Sequence, residues 1–424
     1  MKVKKLPLVT VLAVAAITVG YILQMAPSPI LSVLREGYQL GGNDALLNLC
    51  VSIIHPMTIV ASLLGGRLEG RLGTRRLFTW TLAFLTLGTA MNFAASTYVL
   101  FLAGRILFSV GFGLSIPFIG SAIMNWYGES GRARMNTLNG MFPFIGTVIS
   151  FSIMLPLTEA LGGSWRASMG LWAIPLAAVL ALWVVLVRGE DLPAPVVEAE
   201  ERGIYGLLMR HRDIRLLCEV FVLDFFCYSY IVVLLPTFLS EAGGMSESQA
   251  GVWAALAFPA VGLAGGAFGG FLMSATGMRK TILSAGQIIK LAGVLLLTLG
   301  ISRSVWLGVA GAAVYGLGNG MWMPVMYAMP MEMKEMTPSR IGAAFALISS
   351  CGFAAGFVSP VLGGWLTTLL ASVPSEAEPV IRHVFGLRWS LFAFGFTNLL
   401  SFVISLGLRD TAPAQGAGKR REQS

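Results

Sequence analysis

Charged side chains are scarce in this sequence. Only 12% of its 424 residues are Asp, Glu, Lys or Arg, about half of what a soluble domain carries, which argues against an ordinary cytosolic enzyme. Histidine is rarer still, with three copies, and the four cysteines, Cys50, Cys218, Cys227 and Cys351, fall inside apolar runs without paired spacing. A disulfide scaffold and a metal-ligand set are therefore excluded, and thiols placed this way pack against their neighbours. Long polar stretches are also missing, apart from residues 188–215, so a disordered chain and a separate soluble domain are excluded. The glycine-rich Gly316-Leu317-Gly318-Asn319-Gly320 lies within an apolar run and follows no strand, so it does not read as a phosphate loop. With no nucleophile–base arrangement either, the chain reads as a non-enzyme that needs no cofactor.

What the sequence has in abundance is apolar length. Apolar residues make up 56% of the chain, about 237 in all, with 50 glycines in addition. A membrane-spanning helix takes about 20 mostly apolar residues, so about a dozen can be built. Apolar runs broken by charge or turn residues give twelve spans, roughly 6–34, 45–66, 77–96, 98–125, 135–158, 167–187, 216–240, 248–274, 281–302, 304–331, 341–371 and 387–408. The third and fourth are parted only at Ala95-Ser96-Thr97, because a single helix of that length would overshoot a bilayer core of about 30 Å. Lys2, Lys4 and Lys5 precede a first run too long for a secretory signal, so an uncleaved first helix is expected.

Sidedness follows from the basic residues. Of the 29 lysines and arginines, five (Arg35, Arg166, Arg303, Arg382 and Arg388) fall on one side and two (Arg105 and Lys290) within spans, leaving 22 on the side of the N-terminus. Positive residues accumulate on the cytoplasmic face, so both termini are expected in the cytoplasm and the chain in the cell (inner) membrane. The net charge of +8 is thereby explained by topology, with the lipid bilayer as partner and without nucleic acid.

The stretch 188–215 mixes both charge signs with Pro193 and Pro195, which suits a cytoplasmic linker between two six-helix halves. The expected organisation is a first bundle over 1–187, the linker 188–215, a second bundle over 216–408 and a cytoplasmic tail over 409–424. The halves also repeat. Gly66, Leu68, Gly73, Arg75 and Arg76 meet Gly270, Leu272, Gly277, Arg279 and Lys280 at an offset of 204; Gly104, Gly111, Gly113 and Pro117 meet Gly311, Gly318, Gly320 and Pro324 at 207. An offset of six spans preserves orientation, so the duplication is parallel.

These residues resemble the major facilitator superfamily over the whole chain. Its loop signature after the second span, roughly G-x-L-x-D-R-x-G-R-R, is matched by Gly66, Leu68, Arg71, Gly73 and Arg75, with Arg76 next to them. The acidic position is Gly70 here, with Glu69 one residue early. Arg105, Ser109 and Gly111 match the family's fourth-span arginine signature, whereas the fifth-span element of drug/proton antiporters is absent, with Gly140, Pro143 and Gly146 in its place. Asn125-Trp126-Tyr127, Arg132-Ala133-Arg134 and Trp165-Arg166 are similar to the anion-porter branches, cyanate-type porters included. The resemblance implies a monomeric all-α integral membrane protein of twelve helices in two six-helix bundles, with a solute site at mid-membrane and a gating loop at Gly66–Arg76.

Ionisable residues inside spans are costly and mark pathways. They are His55, Arg105, Glu219, Asp224 and Lys290. At about 1.5 Å per residue, Asp224 and Lys290 lie about 12 Å from the cytoplasmic end, Glu219 about 5 Å, and Arg105 about 10 Å from the outer end. Arg105 reads as an anion ligand or a structural cation, Asp224 as a proton-coupling carboxylate or a fixed salt bridge, and His55 as a proton or solute ligand or a packing residue. Glu219 and Lys290 are long enough to reach an interface, and the partner of Asp224 stays open between Arg105, Lys290 and neither. Gln24, Asn139, Tyr228, Asn319 and Trp322 are candidate cavity residues, and His211 and His383 are expected in loops, solvated. The expected function is proton-coupled uptake of a small organic solute, with a slight preference for an anion because of Arg105. A drug or metabolite exporter and a non-transporting membrane sensor or enzyme are the alternatives.

Overall fold

A computed structural model describes residues 6–127, 129–189, 192, 203–333, 336, 338–373 and 378–411, and among them there are helices and no strands. The side chains at 66, 67, 121, 124, 125, 129–134, 136, 137, 338 and 339 lie outside the description.

In chain order, α1 comprises Leu6–Met25, a tight turn at Ser28–Ile30 and Leu31–Gly37. α2 comprises Asp44–Ser52 and Ile54–Leu72, α3 is Thr74–Phe93, α4 Tyr98–Trp126 and α5 Glu129–Ala160. α6 comprises Trp165–Gly170 and Ala173–Leu186. After a short helix at Ile204–Arg210, α7 is Arg212–Glu241. α8 comprises Glu247–Ala255, a π-helical turn at Leu256–Ala260 and Val261–Thr276. α9 is Arg279–Gly300, α10 Val305–Glu332, α11 Pro338–Ala371 and α12 Pro379–Ser405.

Ten of these are long and apolar enough to cross a membrane. α3 and α10 have the length but dilute it with threonine, or with glycine, tryptophan and proline, and they bring the total to the twelve expected. The threonines of α3 do not need water: Thr79, Thr81, Thr86 and Thr89 each donate to the carbonyl four residues earlier, at 2.7–3.0 Å, which satisfies the hydroxyl inside the helix. Large apolar side chains such as Val11, Trp80, Val185 and Phe271 stand more than half exposed. In a chain of spanning helices this is the lipid-facing surface. The break at Ala95–Thr97 is present, and the Thr97 hydroxyl caps α4 by accepting from the Leu100 amide at 3.2 Å.

The chain divides into two compact units. The first holds Met1–Glu198, Ser229–Ala255 and Gly356–Ser390; the second holds Ala199–Tyr228, Leu256–Ala355 and Leu391–Ser424. Equivalent glycines make equivalent contacts in each. In the first unit a Cβ on Gly88 or Gly111 would come within 2.3 Å of Phe108 N or 2.6 Å of the Thr81 carbonyl, so α3 and α4 touch backbone to backbone. In the second, Gly293 and Gly318 do the same for α9 and α10, with Tyr315 N at 2.4 Å and the Gly286 carbonyl at 2.8 Å. Small residues permit such approach in membranes, and they account for the sequence repeat in packing terms.

The repeated loop is anchored alike in both units. Gly73 takes φ +78° after α2 and Gly277 takes φ +72° after α8, a backbone region that favours glycine. Beyond the first, Arg75 donates to the Val187 and Val184 carbonyls at the end of α6, at 2.6 and 3.0 Å. Beyond the second, Lys280 donates to the Leu406 carbonyl past the end of α12 at 2.6 Å. Each cation thus sits at a helix C-terminus, where the helix dipole favours it.

Candidate functional site

Two buried ionic centres stand out, one in each unit. In the first, Arg105 of α4 is 1% exposed and spends its guanidinium on backbone carbonyls. Its Nε donates to Cys50 O at 3.1 Å, Nη1 to Leu23 O at 2.5 Å and Nη2 to Gln24 O at 2.8 Å. The reason lies in local sequence: Leu23 O would ordinarily receive the amide of residue 27, and Pro27 has none. Arg105 fills that vacancy and ties α4 to α1 and α2. Gln24 is buried beside it, and His55 is buried with Nδ1 2.9 Å from the Ser52 carbonyl. Asn139 is half-buried and lines a cavity of about 30 Å³ with Thr10, Tyr127 and Phe142, room for about one water molecule.

In the second unit Asp224 of α7 pairs with Lys290 of α9, both buried at the level of the ion pair. The Lys290 ammonium also lies over the Trp322 ring, 4.7 Å from its centroid, a cation–π contact. Sequence depth put Asp224 and Lys290 level, and Lys290 is the partner found; it does not extend to an interface. Tyr315, Asn319 and Trp322 repeat along one stripe of α10 and are at most 1% exposed. The side-chain amides of Asn319 and Gln287 and the Trp322 indole N–H have no hydrogen-bond partner among the described residues. Gln287 is absent from the expected site although a glutamine one helical turn before Lys290, in an apolar run, was a signal to use. Tyr228 packs its ring 5.1 Å from Phe225 and 5.9 Å from Phe258. Glu219 is apart from this centre: its side chain is 45% exposed and lies 3.9 Å from Arg215.

In the loop motif, Glu69 is buried and accepts from the Thr74 hydroxyl at 2.8 Å, across the Gly73 turn. The acid that stands one residue early in sequence is thus placed at the N-terminus of α3, where the helix dipole favours a carboxylate. Leu68 is half-buried, while Arg71 and Arg76 are exposed. Gly66 lies within α2. The side chains of Asn125, Arg132 and Arg134 lie outside the described residues.

One cluster escapes the sequence reading altogether. His383 belongs to α12 and is not a solvated loop residue: its Nδ1 is 2.7 Å from Glu241 Oε2 and its Nε2 is 2.9 Å from Asp44 Oδ2. Asp44 also receives Arg35 Nη2 at 2.6 Å. The four residues are scattered from position 35 to 383, so no spacing rule joins them. His211 is exposed, as expected.

A duplicated set of twelve membrane-length helices with ionisable groups buried at mid-helix defines a multi-pass membrane protein. The sequence model of the Major Facilitator Superfamily matches residues 9–333 and 217–424. The chain belongs to that superfamily. Curated relatives match part of it: sugar transport protein MST7 of Oryza sativa subsp. japonica is 29% identical over 182 residues, 40% of this chain and 35% of that protein. Probable plastidic glucose transporter 1 of Arabidopsis thaliana is 28% identical over 154 residues, 36% of this chain and 29% of that protein. The chain thus spans about a third of the length of these relatives. Among solved structures, a D-xylose-proton symporter superposes with a TM-score of 0.77 at 15% identity, covering 96% of this chain and 99% of that one. A bacterial homologue of the human lysosomal transporter Spinster gives 0.73 at 15% identity, covering 97% and 100%. These two likenesses establish the shared fold.

Proposed function

We propose that the chain takes up a small polar organic solute together with protons, by alternating access between a six-helix half at 1–187 and another at 216–408. In this reading 188–215 is the cytoplasmic linker, 409–424 the cytoplasmic tail, and the protein works as a monomer in the inner membrane. The observation that carries it is the buried Asp224–Lys290 pair flanked by unpartnered polar groups. Desolvating two charges is expensive, and a buried pair adds little net stability. Its retention inside a membrane helix marks a coupling device. A proton on Asp224 neutralises the carboxylate and releases Lys290, so the centre has two states that a proton selects.

The neighbours of the pair indicate the solute. Gln287 and Asn319 each offer donors and an acceptor, and Trp322 offers a donor. A hydroxyl group both donates and accepts, so a polyhydroxylated solute matches this set. The sugar and glucose transporters among the relatives favour the same class. Arg105 already spends its donors on carbonyls, which weighs against its holding an anion. A second reading, an anionic solute, is favoured by Lys290, since the ammonium released from Asp224 is a buried cation that a carboxylate would satisfy. Uptake is preferred to export because the antiporter element of the fifth span is missing.

The test is transport in proteoliposomes under an imposed pH gradient, with labelled sugars and small carboxylates as probes. The expected result is proton-driven accumulation of sugars that Asp224→Asn lowers by at least about tenfold, as removal of a coupling group should. PH-dependent accumulation left intact in both Asp224→Asn and Arg105→Ala would sink the mechanism, and accumulation of carboxylates alone would select the second reading.

A further inference from the structure

The cluster on His383 has no role in the transport chemistry proposed above, yet it is built with care. Asp44 opens the first turn of α2, where a helix dipole favours a carboxylate, and Glu241 closes α7, where the dipole opposes one. A cation between them is therefore required more by Glu241 than by Asp44. His383 lies between the two, with one ring nitrogen within hydrogen-bond range of each carboxylate. A neutral imidazole has a single N–H and can serve one of them, leaving a lone pair facing the other; only the imidazolium donates to both. Arg35 holds the second oxygen of Asp44 and also donates to the Gly41 carbonyl at 3.0 Å. On its own helix the neighbouring charged residues are Arg382 and Arg388, with Glu378 just before it.

Beneath this cluster lies a seam of short hydrogen bonds and close backbone contact. Ser28 donates to the Val232 and Val233 carbonyls at 2.9 and 2.7 Å, the first of which is freed by Pro236, and Asn48 donates to the Pro360 carbonyl at 3.0 Å. Gly364 packs so closely on Asp44 and Ala45 that a Cβ would sit 2.6 Å from their backbone. The seam joins α1 and α2 to α7 and α11 within the first unit, at the end of the helices where α2 begins.

We propose that His383, Asp44, Glu241 and Arg35 form a proton-operated latch that holds this end of the transporter shut while His383 is an imidazolium and releases it when the proton leaves. The proposal rests on the reading above that both termini are cytoplasmic, which puts the latch on the outer face. His383 exchanges its proton with the outer solution, so that proton sets the balance between open and shut without crossing the membrane. External acid then favours closure, in the sense a proton-driven importer needs once it is loaded.

The test places a reporter in the seam of the full-length protein. Ser28→Cys swaps a buried hydroxyl for a thiol of similar size, and its alkylation by an impermeant maleimide is followed in proteoliposomes, with reagent on either side and the parent chain as background for the four native cysteines. Labelling at position 28 is expected to rise by about tenfold between about pH 6 and about pH 9, across the range where a histidine switch acts. In the same background His383→Gln should give a flat, high rate, and His383→Arg, a permanent cation with donors for both carboxylates, a flat, low one. A pH profile retained in His383→Gln, or equal labelling of the Gln and Arg variants, overturns the latch. Asp224→Asn separates the two readings: a profile that survives there supports the latch whatever happens to uptake, and one lost with Asp224 overturns an independent latch. Reaction from the lumenal side only would assign the failure to the proposed orientation, and the latch would then stand or fall on the pH profile from that side.

Discussion

Arg105 holds a full charge at 1% exposure, and three of its hydrogen bonds end on main-chain carbonyls. Its position as a buried arginine was plain from the apolar run around it, but its partners were not, because they lie 55 to 82 residues away in sequence. Pro27 was the missed clue: a proline inside an apolar run leaves a carbonyl unpaired, and something must donate to it. Arg105→Lys keeps the charge and loses the planar fork, so one or two hydrogen bonds to a charged donor are lost, a cost on the order of 2–4 kcal/mol. Thermal unfolding in detergent should show a clearly lower midpoint for this variant. An unchanged midpoint would remove the structural role and return Arg105 to the solute. Asp224 and Lys290 are legible in the sequence as a depth match, whereas Gln287 is not, because an uncharged amide in an apolar run costs far less to bury than a charge and marks no pathway by itself.

Helices in this protein meet through glycine. The repeat offsets of 204 and 207 were visible as letters in the sequence, and the structure gives them a physical cause: equivalent glycines let α3 approach α4, and α9 approach α10, to backbone contact. A methyl group at Gly311 would meet Leu297 N at 2.2 Å, whereas one at Gly270 meets nothing within 4 Å. Gly311→Ala should therefore destabilise by about 1–3 kcal/mol, the usual cost of overpacking, and Gly270→Ala should be neutral or slightly stabilising. Midpoints measured side by side in detergent decide it, and equal effects would mean that α9 and α10 do not depend on close approach. Helix existence was readable throughout, down to the break at Ala95–Thr97. Ends were less so: α12 starts at Pro379, well before the apolar run at 387, and this moved His383 from an expected loop into a helix. Apolar runs mark where a helix must be dry, and helices continue past that limit as far as hydrogen bonding allows.

At the scale of the whole molecule, topology follows from the distribution of lysine and arginine. With 22 of 29 basic residues on the side of the N-terminus in the sequence reading, the positive-inside rule predicts both termini in the cytoplasm. A reporter fused after Ser424 that is active only in the cytoplasm should be active, and the same reporter inserted at Gly163, in the turn between α5 and α6, should be silent. The reverse pattern would invert the orientation and with it the outer placement of the His383 latch.

Composition and periodicity by themselves determined that this is a twelve-helix membrane protein built by duplication, because the bilayer demands apolar length and glycine contacts leave a repeating trace in the chain. The partners of its buried charges were decided only in three dimensions. Arg105 met carbonyls that prolines and helix breaks had freed, Asp224 met Lys290 across a helix boundary, and His383 met two carboxylates contributed by distant helix ends. Hydrogen bonds and ion pairs act over a few ångströms whatever the separation in sequence, so only the packed chain could bring these groups together.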